Sequence, residues 1–235
     1  KKKKNAPVVV GAALLGPKVK GKPNIPTVLT SYSDYQSKFG FEFLSGSGTG
    51  AESKTFLTSI AAKNYFDNGG ETLAVTRIVS RSSDFVPASS STIPTGSGGP
   101  TTGLSPFVLE TLSEGAILNS TSTETTNGAL PNGTVDNFRW EIRDSNTTNG
   151  TFSLIFRRGD DRTTSKTVLE QFTNLTLDPR SPNYVSRQIG NQVQTLRGSG
   201  TDVYLQTTGS FRNASRYVRV KAVNYNTPDY LNNNP

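Results

Sequence analysis

Apolar and polar positions along the chain change their period near residue 106, dividing the sequence into two patterns. Residues 7 to 15, PVVVGAALL, form an unbroken apolar run rich in β-branched residues, which predicts a strand buried on both faces. Gly16 and Pro17 end it, and a proline-rich connection leads to a short apolar piece, Thr27 to Leu29. Ser31 followed by Asp34 marks a helix start, and Tyr32, Tyr35 and Phe39 recur at helical spacing up to Gly40. Beyond the SGSGTG loop the spacing predicts a second helix over 52–68, with Phe56, Leu57, Ile60, Ala61 and Tyr65 on one face. Asn68-Gly69-Gly70 closes that helix, because glycine reaches positive φ without a Cβ penalty. Leu73 to Val79 then reads as a second buried strand. Strand, helices, strand is the order of an α/β layer whose strands run parallel through a right-handed crossover.

Residues 80 to 106 are too rich in Ser, Pro and Gly to pack and read as a linker. Beyond them come short alternating strands: Phe107 to Leu112, Phe138 to Ile142, Phe152 to Phe156, Val203 to Gln206 and Tyr217 to Val223. VDNFRWEIRDSNTTNGTFSLIFRR has the form of a hairpin, and helical interruptions are expected around Val168 to Leu175 and Pro182 to Ile189. The fold class expected is therefore α+β: an incomplete α/β layered core over 1–80, a linker over 81–106, and a mainly antiparallel β domain with one or two short helices over 107–235.

Composition narrows the chemistry. The 235 residues include no Cys and no His, so thiolate chemistry, disulfides, His-dependent triads and the usual zinc sites are excluded within this sequence. Met is absent even at position 1, so the sequence is expected to be part of a longer product. Of the net charge of +7, Lys1 to Lys4 carry four, leaving about +3 over the rest, which reads as a solvated basic end rather than a nucleic-acid surface. No apolar run approaches the length of a membrane-spanning helix, and a soluble protein is expected.

Other motifs have ordinary readings. GSGTG at Gly46 to Gly50 lacks the Lys-Ser/Thr of a phosphate-binding loop and reads as a flexible connection. Asp160 and Asp161 could hold a cation, but Arg157, Arg158 and Arg162 flank them and a charge-balanced hairpin loop is expected. Trp140 lies among Phe138, Ile142, Phe152 and Phe156 at strand period; this reads as core, with a sugar-stacking platform as the alternative. The sequons at Asn119, Asn132, Asn146, Asn149, Asn174 and Asn213 are no more than an Asn- and Thr-rich chain produces by chance. No nucleophile, base and oxyanion site can be assembled, and neither an enzyme nor a cofactor is expected.

Two stretches in order, GKPNIPTVLTSYSDYQSKFG (Gly21 to Gly40) and LTSIAAKNYFDNGGETLAVTRIVS (Leu57 to Ser80), resemble the N-terminal core of contractile phage tail sheath proteins. The matching positions are Pro26, Thr30, Ser31, Tyr35, Phe39 and Gly40, then Phe66, Asn68, Gly69, Gly70, Val75 and Arg77. Lys22-Pro23 stands where that family usually has Gly-Pro. LEQFTNLTLDPRSPNYVSRQIGN (Leu169 to Asn191) and SRYVRV (Ser215 to Val220) are similar to later stretches of the same family.

The resemblance implies a structural subunit of the virion, assembled in the host cytoplasm. It would polymerise with copies of itself as stacked hexameric rings around an inner tail tube, meet baseplate and tail terminator proteins, and contract to drive genome delivery. Nucleic acid and membrane are not among the implied partners. Tyr35, Phe39, Gly40, Phe66, Asn68, Gly69, Gly70 and Arg77 would form the junction of the core. Val8, Val9, Val10, Ala12 and Leu14 would lie in an arm that adds a strand to a neighbour. The family's core-completing C-terminal part is not seen in this sequence. A virion or cell-surface adhesin that binds glycans is the alternative, motivated by Trp140 and the sequons.

Overall fold

The computed structural model describes residues 11–41, 44–45, 54–55, 57–79, 87–89, 105–114, 123–146 and 148–224, with backbone alone for 44–45, 54–55 and 87–89. The chain divides into two compact units, Lys1–Ser82 and Ser83–Pro235. The fold is α+β, with helices and a mixed sheet in the first unit and mainly antiparallel strands in the second.

The first unit is built from β1 (Ala12–Gly16), β2 (Thr27–Leu29), α1 (Tyr32–Phe39), a small β3 (Leu44–Ser45) and β4 (Lys54–Thr55) pair, α2 (Leu57–Asp67) and β5 (Leu73–Arg77). β5 is central: β1 pairs with it in parallel and β2 antiparallel, giving the sheet order β1-β5-β2. The expected parallel pairing of the two apolar runs is thus present. One face of this sheet meets both helices in a core of Leu29, Tyr35, Phe39, Ala62, Leu73 and Val75, with Leu14 packed against it.

Both helix ends form as the sequence chemistry requires. Ser31 caps α1, its hydroxyl accepting from the Asp34 N–H at 3.1 Å, and Gly40 ends the helix at φ 87° with its N–H on the Gln36 carbonyl. At the end of α2, Gly69 stands at φ 84°. Gly70 N–H reaches the Tyr65 carbonyl at 2.9 Å and Gly69 N–H the Phe66 carbonyl at 3.0 Å, a Schellman closure.

Two expectations fail in this unit. β1 is an edge strand, with Ala12, Ala13 and Leu15 exposed, so Ala12 to Leu15 is not buried on both faces; Val8, Val9 and Val10 lie outside the described residues. α2 starts at Leu57 rather than 52 and is rotated from its expected face: Leu57 and Ala61 are exposed, while Thr58, Ser59 and Ala62 are buried. The reason is hydrogen bonding. Ser59 meets the Tyr35 hydroxyl at 3.0 Å and Thr58 donates to the Pro17 carbonyl at 2.5 Å, so two hydroxyls turn inward where side-chain size alone would have placed Leu57. Phe56 lies outside the described residues.

The second unit holds β6 (Pro87–Ser89), β7 (Phe107–Glu114), β8 (Phe138–Asn146), β9 (Thr151–Arg158), β10 (Val168–Thr176), α3 (Val185–Ile189), β11 (Val193–Arg197), β12 (Tyr204–Thr208) and β13 (Val218–Val223). Two antiparallel sheets, β10-β9-β8 and β13-β7-β6, share a core with α3, formed by Phe107, Leu109, Leu154, Phe156, Leu175, Val185, Ile189, Val218 and Val220. β8 and β9 form the expected hairpin, and β6 lies within the stretch read as linker.

Val168 to Leu175 is a strand and not the expected helix. The phenyl ring of Phe172 meets Phe156 on the neighbouring strand at 6.2 Å, and pairing with β9 supplies hydrogen bonds that a short helix would have to make alone. β11, which pairs with β12 as a separate ribbon, was not expected at all, because VQTLR carries no alternating apolar signal.

Candidate assembly surfaces

The junction that opens the first unit's sheet is locked by side chains placed where the sequence puts them. The Tyr65 hydroxyl donates to the Thr72 carbonyl at 2.8 Å, spanning the Gly69-Gly70 turn, and its ring occupies the space a side chain at position 70 would need. Tyr35 is fully buried; burial pushes its phenol up to about 12, against the opposing pull of its Ser59 hydrogen bond. Tyr35 and Phe39 sit in the core, with Phe66 packed against it, while Asn68 is exposed and its amide donates to the Asn64 carbonyl.

Arg77, at the end of β5, is 2% exposed. Its guanidinium donates to the carbonyls of Lys18 (3.1 Å), Gly21 (2.6 Å) and Val19 (3.2 Å), pinning the loop that follows β1. Lys18 lies in that loop, buried, with its ammonium on the Gly16 carbonyl at 3.1 Å. Burial, and secondarily the Arg77 charge, lower its pKa to about 8.

Ala12 and Leu14 therefore belong to a strand whose inner edge is taken by β5. Among the described residues, β1 and β2 form the two outer edges of the sheet. Such edges can take further strands.

In the second unit, alternation along the β8–β9 hairpin separates two chemistries. Phe138, Trp140, Ile142, Leu154 and Phe156 point to the core, so Trp140 is packed against the interior as its spacing suggested. Arg139, Glu141 and Arg157 occupy the opposite face, yet Arg139 and Arg157 are buried there by the loops before β8 and after β9.

Asp161 is the hub. It accepts from Arg157 Nε and Nη2 at 2.9 Å each, from Arg139 Nε at 2.7 Å and from the Thr167 N–H at 2.8 Å. Burial alone would raise its carboxyl, but these partners outweigh that and hold its pKa below the usual range. Glu141 bridges Arg157 at 3.0 Å and Lys166 at 2.8 Å; desolvation opposes, yet its pKa is also lowered. Glu124 accepts from Arg139 Nη1 at 3.1 Å, and Arg139 Nη2 donates to the carbonyls of Gly128 (3.0 Å) and Asp161 (2.9 Å).

The charge-balanced loop expected around Asp160 and Asp161 is thus present, with Asp160 on Arg158. Sequence reasoning missed Arg139, Glu141 and Lys166 as its partners. The available signal was alternation, since residues 139 and 141 cannot share a face with Trp140. An open concavity of about 440 Å³ adjoins this loop, lined by groups including Glu124, Asn127, Arg162 and Thr163. Glu124 is already bonded to Arg139 and to Thr163 there, and among the described residues no cluster of carboxylates is arranged to hold a metal.

The β11–β12 ribbon leaves the unit through a fastened base. The Asn213 amide accepts from Gln192 N–H at 2.9 Å and donates to Gln192 O at 2.8 Å, and Asn191 Oδ1 accepts from Phe211 N–H at 2.8 Å. Gly190, at φ 104°, is pressed against the Asn213 backbone, where a Cβ would come within 2.2 Å. β12 is exposed throughout and β11 beyond Val193.

No described helix is long and apolar enough to cross a membrane. No family model matches the sequence, and no curated protein matches it. Among solved structures, the chain is similar to the sheath tail protein Lin1278 from Listeria innocua, at 11% identity and a TM-score of 0.38, over 91% of this chain and 34% of that one. The chain therefore spans about a third of that protein's length, and a likeness at this level fixes neither family nor function.

Proposed function

We propose that the chain is a structural, non-catalytic subunit of a contractile phage tail sheath, one that polymerises with copies of itself around an inner tube. The observation that carries this reading is the ordered set of sheath-like residues in the first unit. Tyr35 and Phe39 fill its core, Gly40 and Gly69-Gly70 end its helices, and Arg77 pins the loop after β1. Residues spread over more than forty positions thus serve one small module. That module has sheet edges at β1 and β2, which suit strand addition from a neighbouring copy. Val8, Val9, Val10, Ala12 and Leu14 would supply or receive that strand. The glycan-binding alternative loses its main support, because Trp140 packs against the core of its own unit.

Electron microscopy of the full protein under assembly conditions tests the reading. Tubes or stacked rings are expected; monodisperse monomers in every condition, with no binding to a tail tube, would overturn it.

A further inference from the structure

Asparagine followed by glycine is the pair that loses its side-chain amide most easily, because glycine has no Cβ to hinder attack of its own nitrogen on the asparagine Cγ. The sequence holds four such pairs: Asn68-Gly69, Asn127-Gly128, Asn132-Gly133 and Asn149-Gly150. All four asparagines are exposed, so neither sequence nor exposure ranks them. What differs is the glycine N–H, which must give up its proton before the nitrogen can act as a nucleophile.

At three of the pairs that N–H is engaged. Gly69 N–H donates to the Phe66 carbonyl at 3.0 Å, and the Asn68 side-chain amide is itself held on the Asn64 carbonyl at 2.7 Å. Gly128 N–H donates to the Thr125 carbonyl at 2.8 Å, while the Gly128 carbonyl accepts from the Thr163 N–H and from Arg139 Nη2 at 3.0 Å each. Gly133 N–H donates to the Leu130 carbonyl at 3.0 Å, and the Asn132 carbonyl accepts from Asn137 Nδ2 at 2.7 Å. Turning any of these three nitrogens toward the asparagine Cγ breaks a hydrogen bond and moves backbone that its neighbours hold in place.

Asn149-Gly150 lies in the turn between β8 and β9, and its bonding is different. Asn146 Oδ1 accepts from the Thr148 N–H at 2.9 Å and from the Asn149 N–H at 3.1 Å, so the turn is fastened from the residue that ends β8. The Gly150 N–H and the Asn149 carboxamide meet no partner among the described residues. We propose that Asn149 is a site of spontaneous deamidation, set apart from the other three pairs by the free amide of Gly150. The Gly150 nitrogen, its proton taken by hydroxide, bonds to Asn149 Cγ; the Cγ–Nδ2 bond breaks, and Nδ2 leaves as ammonia after taking a proton from water. A second water opens the resulting cyclic imide at either carbonyl, giving aspartate or isoaspartate at position 149, and no oxidant or reductant is involved. Each conversion replaces a neutral amide by a carboxylate and lowers the net charge of +7 by one. Because Asn146 and not the Asn149 side chain fastens the turn, the aspartate form keeps the hairpin closed.

The reaction is intramolecular, so its test needs only the full protein and is independent of the sheath reading. The chain is incubated at mildly alkaline pH, once folded and once in urea, and peptide mass spectrometry follows the change from amide to acid at each pair. In the folded protein Asn149 should convert at least about tenfold faster than Asn68, Asn127 or Asn132, a ratio equivalent to about 1.4 kcal/mol. In urea the four rates should converge, because the hydrogen bonds that protect three of them are gone. Aspartate and isoaspartate should both appear at position 149, and Asn149→Gln should remove the early product. Another pair converting as fast as Asn149 in the folded protein overturns the proposal, and so does an Asn149 lead that persists in urea, since the fold would then select nothing. Asn149→Asp should unfold at the parent's urea midpoint by Trp140 fluorescence; a lower midpoint would show that the new carboxylate opens the hairpin.

Discussion

Arg157 grips Asp161 through two parallel hydrogen bonds of 2.9 Å, while Arg139 reaches the same carboxylate from the neighbouring strand at 2.7 Å. Three buried charged groups are thus fixed by one another, and the loops before β8 and after β9 are tied down over the hairpin. Removing the single anion leaves two buried guanidinium groups without it. Asp161→Ala is expected to cost about 3–5 kcal/mol, the range for breaking one partner out of a buried ion network. Trp140 is the only tryptophan and sits in the same hairpin, so its fluorescence during urea unfolding reports on this unit. A loss under about 1 kcal/mol would mean the network is incidental to stability.

The same contact sets an acid limit. Asp161 and Glu141 have pKa values held down in the folded unit, so the unfolded state takes up protons first as pH falls. Their contribution is fully present above the unfolded carboxylate value of about 4 and is lost as pH drops through the lower folded values. The urea midpoint followed by Trp140 should fall steadily below about pH 5. An Asp161→Asn, Glu141→Gln variant, already weaker, should show a flatter pH profile; an unchanged slope would locate the acid sensitivity elsewhere.

Lys18 gives the first unit a dependence of opposite position. Its folded pKa of about 8 lies below the unfolded lysine value of about 10.4. Below pH 8 both states are charged and the folded unit carries the full burial penalty. Between about 8 and 10.4 the unfolded state binds the extra proton, so stability rises with pH across that window and levels off above it. Comparing the unfolding of Lys18→Met with the parent chain by hydrogen exchange at α1 and β5 isolates the effect. The parent should gain stability with pH relative to the variant, and parallel profiles would disprove it.

What the sequence made legible is what depends on local chemistry. Ser31, Gly40 and the Gly69-Gly70 pair marked helix ends because each acts through its own backbone or the next turn. The β8–β9 hairpin was legible because alternation fixes faces directly. The failures come from contacts distant in sequence. Leu57 looked buried by spacing, but the inward side of α2 is decided by Ser59 meeting Tyr35 and Thr58 meeting Pro17. Val168 to Leu175 has a helix-compatible composition, and only its pairing with β9 makes it a strand. Arg157 was legible beside Asp161 in the loop, but Arg139 was not, because Asp161 lies 22 positions further on and only a turn brings it back over the hairpin. β1 looked doubly buried because composition reports apolarity and not whether a covering layer is at hand.

The two glycines after α2 should differ when replaced, although they are neighbours. Gly69 has positive φ and open space around its missing Cβ, so Gly69→Ala brings only the backbone penalty of about 1 kcal/mol. At Gly70 a Cβ would come within 2.3 Å of the Tyr65 ring. The ring must move, and with it goes the Tyr65 hydroxyl bond to Thr72 that aligns β5 behind the helix. Gly70→Ala should therefore cost about 1–3 kcal/mol and loosen β5, seen as faster amide exchange over Leu73 to Arg77 than in Gly69→Ala. Tyr65→Phe, which keeps the ring and drops only the hydroxyl, separates the two contributions: it should reproduce the faster exchange with a smaller loss of stability. Equal effects from Gly69→Ala and Gly70→Ala would show that the turn is held by backbone geometry alone, and that Tyr65 plays no part in joining the helix to the central strand.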